Sequence, residues 1–233
     1  MSDFMEEKTY HAPSELPHYE AVEIRESGEP LADLSKFGFI LEPYYFQQGV
    51  SPTSTMLLRQ GVVDRLLAAQ AKLKGYKFKI YDGYRPRSVQ RTVYQKFFDE
   101  LQQKHPDWTE EQLDAEAGMY VTYPREPHRI PHHSTGGAVD LTLVDESSGR
   151  ELDMGTGFDH FGPEAWQHYF EQNSINEGAR KNQEMLRNAL LGEDFNPFPY
   201  EWWHFDYGDQ LWAASRQKPF AIYGEIPEPD NYK

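Results

Sequence analysis

A chain of 233 residues with 38 acidic against 23 basic side chains carries a formal charge of −15, a field that repels phosphate backbones and anionic membrane surfaces and excludes nucleic acid as an expected partner. The absence of cysteine excludes a disulfide scaffold and a thiolate-rich structural zinc knuckle. The length allows roughly 70–75% of the unfolded surface to be buried. No Gly/Ser-rich or Pro-rich linker divides it, so a single domain over 1–233 is expected.

The opening Met-Ser-Asp-Phe-Met-Glu-Glu puts acids where a signal peptide needs a basic stretch and an apolar run, and no later segment approaches a membrane span. A cytoplasmic protein is the expectation, with no membrane partner. The stretch to about Pro30 lacks helical or strand periodicity, and residues 1–40 are read as an N-terminal arm.

Leu58, Val62, Leu66, Ala69 and Leu73 recur at three- and four-residue steps and predict an amphipathic helix ending near Gly75. Lys77 to Tyr81 alternates and predicts a strand, turned by Asp82-Gly83. Val89, Val93, Phe97 and Leu101 mark the buried stripe of the next helix. A further helix is expected from about Thr109, its first turn carrying Glu110 and Glu111 at the positive end of the helix dipole. Three prolines between Tyr120 and Pro131 predict a loop.

Ala138 to Val144 alternates, with Val139, Leu141 and Leu143 on one face and Ala138, Asp140 and Thr142 on the other. A helix is predicted over 180–191 and an aromatic strand over 202–207. Helices and strands intermix without a βαβ rhythm, so the expected class is α+β.

Two segments carry metal chemistry. His133, followed after a Gly136-Gly137 turn by Asp140, and Glu201-Trp-Trp-His204 together supply two imidazoles, a carboxylate and a spare glutamate. A catalytic zinc needs three nitrogen or oxygen ligands, one open position and a nearby carboxylate that is not a ligand. Each residue alone reads as an ordinary surface or core side chain; the combination points to one zinc ion per chain. In an uninterrupted strand, residues three apart face opposite ways, so Glu201 and His204 converge only if Glu201 sits at the strand's mouth or a bulge. His132 stands next to His133 as a rival ligand. Arg85, just after a strand and followed by Pro86, is a preorganised cation of the kind that holds an oxyanion or a carboxylate.

With these residues in place, the chain resembles the zinc D-alanyl-D-alanine dipeptidases of the VanX type, within the wider group of D,D- and L,D-carboxypeptidases. The likeness is carried by Tyr81-Asp-Gly-Tyr-Arg-Pro86, His133-x-x-Gly-x-Ala-x-Asp140, Leu152-Asp-Met-Gly155 with Phe158-Asp159, and Glu201-Trp-Trp-His204, and spans about residues 44–207. It implies a zinc D,D-peptidase (hedgehog/carboxypeptidase-like) fold, an antiparallel sheet flanked by helices. It implies His133, Asp140 and His204 as zinc ligands, Glu201 as general base and acid, Arg85 as transition-state stabiliser and Asp159 as the acid that binds the substrate's amino end. Pro131 departs from the family, which commonly shows Ser-x-His here, and the segment 102–131 looks expanded. The expected activity is zinc-dependent hydrolysis of D-alanyl-D-alanine or a related short D,D-dipeptide. The rivals are a D,D- or L,D-carboxypeptidase acting on longer peptidoglycan stem peptides and a non-catalytic zinc-bearing peptidoglycan-fragment binder.

Overall fold

The computed structural model of the chain describes residues 16, 18–121 and 129–228. In chain order, the first strands are β1 (Leu31–Asp33) and β2 (Ile40–Leu41), followed by the short helix α1 (Tyr44–Gln47), β3 (Leu57–Arg59) and α2 (Gln60–Gln70). Next come β4 (Tyr76–Asp82), the helix pair α3 (Arg87–Lys104) and α4 (Glu110–Tyr120), and the long strand β5 (Ala138–Asp145). The chain closes with α5 (Tyr169–Gln172), α6 (Glu177–Leu191), β6 (Asn196–Pro197), β7 (His204–Asp206) and α7 (Gln210–Ser215). No helix among the described residues is long and apolar enough to cross a membrane.

The architecture is α+β. Five strands form one sheet in the order β2-β4-β5-β7-β6, and β1 pairs with β3 in a separate two-stranded sheet. The main sheet is antiparallel except for β2, which runs parallel to β4 and makes it mixed rather than purely antiparallel.

Alternation along the strands decides what each face does. Phe78 and Ile80 of β4, Val139, Leu141 and Leu143 of β5 and Phe205 of β7 join a buried core with Val62, Val63 and Leu66 of α2 and Leu186 and Leu190 of α6. Full burial of each such aliphatic side chain contributes about 1.5–3 kcal/mol. The opposite face of β5 and β7 carries Asp140, Thr142, His204 and Asp206, all buried. Beside it, α3 and α4 make a second cluster from Val93, Phe97, Leu101, Leu113, Ala117 and Tyr120, joined by Tyr45. The start of α4 is secured by a capping box in which the Thr109 hydroxyl accepts from Gln112 N and the Gln112 side chain accepts from Thr109 N.

Several boundaries differ from the sequence reading. Leu58 belongs to β3, and its place in the apolar stripe is coincidental, because the helix proper starts at Gln60. The strand expected over 202–207 is only His204–Asp206, since Trp202 and Trp203 lie in a turn. The segment read as part of an arm joins the body. Ile24 bridges Ala221, Leu34 is fully buried, and Gln210 Nε2 donates to the carbonyls of Glu20 and Val22. Residues 1–15 and 17 of that reading, and 122–128 of the expected loop, lie outside the described residues.

Candidate active site

The register of the main sheet builds the site. Asp140 of β5 is paired with His204 on one side and, past an irregularity in β4, with Asp82 on the other. The turn 132–135 precedes β5 and swings His133 over the same face through Gly136, whose φ of 70° is left-handed. Next to it, a Cβ on Gly137 would lie 2.3 Å from the Tyr207 carbonyl, so glycine alone lets β5 close on the strand that carries His204. Glu201 precedes β7 in a turn, pinned where Gln167 Nε2 donates to its carbonyl at 2.9 Å and Trp202 N donates to Ala165 O at 2.9 Å. That satisfies the geometric condition set by the sequence, and Glu201 Oε2 comes to 3.7 Å from His204 Nδ1.

The three expected ligands form a tight triangle. His133 Nε2 is 3.2 Å from His204 Nδ1 and 3.3 Å from Asp140 Oδ2, and His204 Nδ1 is 3.1 Å from Asp140 Oδ1. A tetrahedral zinc with bonds of about 2.0–2.2 Å has ligand–ligand edges of about 3.3–3.6 Å, so the cluster needs a few tenths of an ångström of opening to take the ion. Tautomers agree with that use. The Gly83 carbonyl, 2.8 Å from His133 Nδ1, accepts only if that nitrogen carries the proton, which leaves Nε2 free. Asp206 Oδ1, 2.9 Å from His204 Nε2, does the same there and leaves Nδ1 free. Asp140 Oδ1 is buried with no hydrogen-bond partner among the described residues, an orphan that a cation would satisfy. The donor set fits zinc.

Charge in the site follows from burial and neighbours. Burial works against the Asp140 carboxylate, but His133 and His204 outweigh it and hold its pKa well below the usual range. Burial also opposes the charged form of His204, yet Asp206 and Asp140 raise it to about 10 in the metal-free protein. Burial, with Asp140 and Asp159 adding repulsion that His204 and Arg85 only partly offset, pushes Glu201 up to about 8. Arg85 is buried against its own preference, but Tyr45, Asp82 and Asp140 keep it ionised. Its Nε donates to Asp82 at 2.7 Å, one amino group donates to Gln90 at 3.1 Å, the other stands 3.4 Å from Asp140 Oδ2, and the guanidinium lies 4.5 Å over the Tyr45 ring.

Tyr45 also donates to Asp159 Oδ1 at 3.0 Å, and burial raises the Asp159 carboxyl to about 6 despite the pull of Arg85 and Tyr45. All six residues singled out in the sequence line one cavity of about 660 Å³, with Tyr45, Tyr120, Tyr200 and Trp203 among its walls. His132 is not in the triangle; its Nδ1 is hydrogen-bonded to Asp209 Oδ2 at 2.7 Å. Pro131 opens the turn that carries His133, and Ser134 Oγ donates to the Arg85 carbonyl.

Sequence reasoning missed Tyr45, Asp82, Asp206 and Asp209. Asp206 had a signal, because in a strand it shares a face with the residue two before it. Asp209 stands three before Trp212 at helix-cap spacing, and its Oδ1 accepts from Trp212 N at 2.8 Å. Asp82 had a local signal, standing three residues before Arg85 in the same turn, whereas Tyr45 had none, since tertiary packing alone brings it to Asp159 and Arg85.

A curated D-alanyl-D-alanine dipeptidase of Synechocystis sp. is 31% identical over 242 residues, covering 91% of this chain and 97% of the relative. One of Escherichia coli K12 is 33% identical over 136 residues, 58% of each chain. Among solved structures, VanYB in complex with D-alanine-D-alanine aligns with a TM-score of 0.44 at 16% identity, over 71% of this chain and 80% of that one. The family model described as D-Ala-D-Ala dipeptidase matches residues 46–222, and the chain belongs to that peptidase M15 family.

Proposed function

We propose that the protein is a zinc dipeptidase that hydrolyses the peptide bond of D-alanyl-D-alanine or a closely related short D,D-dipeptide, with His133, Asp140 and His204 holding the ion. The observation that carries this reading is the cluster in which His133 Nε2, His204 Nδ1 and the Asp140 carboxylate approach one another to 3.1–3.3 Å, with the Glu201 carboxylate 3.7 Å from His204 Nδ1. Bound there, zinc would polarise a water and lower its pKa from the bulk value to about 7.

Glu201 takes the proton from the water whose oxygen attacks the peptide carbonyl carbon. As the carbon–nitrogen bond breaks, Glu201 returns that proton to the leaving amine, and two amino acids result. Its buried position suits both tasks, and its carboxylate, 3.7 Å from His204 Nδ1, would stand beside a bound ion. Arg85, locked by Asp82 and Gln90, faces the carbonyl oxygen and stabilises the charge that develops on it, a role typically contributing about 3–4 kcal/mol. Asp159 receives the substrate ammonium. The cavity of about 660 Å³ has room for more than a dipeptide, so this carboxylate, rather than volume, supports a preference for a free amino terminus nearby.

The test is a panel of D,D-, L,D- and L,L-dipeptides and one longer stem peptide incubated with the zinc-loaded protein. Release of D-Ala from the free D,D-dipeptide alone supports the reading. Faster release from the stem peptide makes the protein a carboxypeptidase, and no release from any of them leaves the zinc-bearing binder.

A further inference from the structure

We propose that His132 is a positioning residue of the metal centre, acting through Asp206 to fix the ring of His204. The inference rests on the reading of His204 as a metal ligand. Asp206, two residues on in the same strand, lies on the same face, and its Oδ1 accepts from His204 Nε2 at 2.9 Å. A ligating imidazole needs such an acceptor to set its tautomer and its ring plane. Asp206 is itself fully buried, and its Oδ2 has no hydrogen-bond partner among the described residues. A carboxylate buried in that position is held in one orientation only by the polar groups around it.

His132 is one of these groups. Its Nδ1 stands 3.3 Å from Asp206 Oδ1 and 2.7 Å from Asp209 Oδ2. Asp209 is anchored in turn by capping α7, where its other oxygen accepts from Trp212 N. The His132 ring is held from its faces as well, stacked against Tyr19 at 6.0 Å and packed against Phe198 at 6.0 Å. The groups facing the pair from every side are thus Tyr19, Asp209, His204 and, beyond His204, Asp140. A chain of polar contacts thus runs from the cap of α7 through His132 and Asp206 to His204. His132 and His133, adjacent in sequence, serve the centre from two different shells: one as a ligand, one through a carboxylate.

The test is a double-mutant cycle on zinc affinity, measured by chelator competition, with the visible spectrum of the cobalt-substituted protein as second readout. His132→Gln and Asp206→Ala are each expected to weaken zinc binding by about 10–100-fold and to alter the cobalt spectrum. In the Asp206→Ala background, His132→Gln should change the affinity by less than about twofold, because its route to His204 is gone. Should Asp206→Ala lose its native near-UV circular dichroism, Asp206→Asn takes its place in the cycle with the same expectation. Effects that multiply, an unchanged affinity in His132→Gln, or two zinc ions per chain with one lost in that variant would each overturn the proposal. His204→Ala separates the two failures: wild-type zinc affinity there removes the ligand assignment itself.

Discussion

Asp159, proposed to receive the substrate ammonium, carries a cost in stability. Burial raises its carboxyl from 3.8 to about 6, so between those values the folded metal-free protein binds a proton that the unfolded chain releases. Stability from this group therefore falls as pH rises from about 4 to 6. Asp159→Asn removes that penalty, and the left-handed φ of 63° at this position is one that asparagine tolerates. At pH 7 the variant is expected to be more stable in chemical denaturation by about 1–2 kcal/mol, less than the full shift because the side chain is partly solvated, with no gain below pH 4. The same change should raise KM for the dipeptide by about 10–100-fold, the loss of a charge-assisted contact. The wild-type KM should rise as pH falls below about 6, and the variant should lack that limb. A variant with an unchanged KM would remove Asp159 from the substrate site.

At the scale of elements, the alternation of β5 and the register it imposes do most of the positioning. Reading Val139, Leu141 and Leu143 as one face was enough to put Asp140 on the other, and β7 then brings His204 beside it. The same kind of reasoning failed at Leu58, where three- and four-residue spacing is shared by chance between a strand end and the helix behind it. It also overextended β7, because aromatic residues favour strands while Trp202 and Trp203 are buried from a turn. Gly137 is where β5 and β7 are most sensitive. Tyr207 N donates to the Gly137 carbonyl at 3.0 Å, and an added Cβ would strike the Tyr207 carbonyl. Gly137→Ala is expected to cost about 2–4 kcal/mol and to weaken zinc binding at the same time, since parting the strands separates Asp140 from His204. Equilibrium unfolding with zinc titration measures both; a stable variant with intact affinity would contradict this account of the strand pairing.

Across the whole molecule, the site was more legible than the frame that holds it. Metal-site chemistry is written in residue type and short spacing, so the residues proposed for it, His133, Asp140, Glu201 and His204, stand out in the sequence, and the structure brings them together. The integration of residues 19–41 could not, because it depends on contacts nearly two hundred residues away, such as Gln210 with Glu20 and Ile24 with Ala221. The parallel placement of β2 was hidden for the same reason. The metal is expected to join these levels by stabilising the fold it sits in. Zinc at about a thousand times its dissociation constant adds about 4 kcal/mol, or about 8–16 °C in Tm for a chain of this size, and chelation should reverse the shift. A Tm that ignores zinc would contradict binding at a buried triangle of ligands.

The most direct measurement is D-Ala release from D-alanyl-D-alanine by the wild-type protein and by Glu201→Ala, compared at equal measured zinc content. The account predicts full zinc occupancy in both and a fall in kcat of about 100- to 10,000-fold in the variant. A variant that keeps its zinc and loses less than about tenfold in kcat would contradict the role given to Glu201 and, with it, the proposed mechanism.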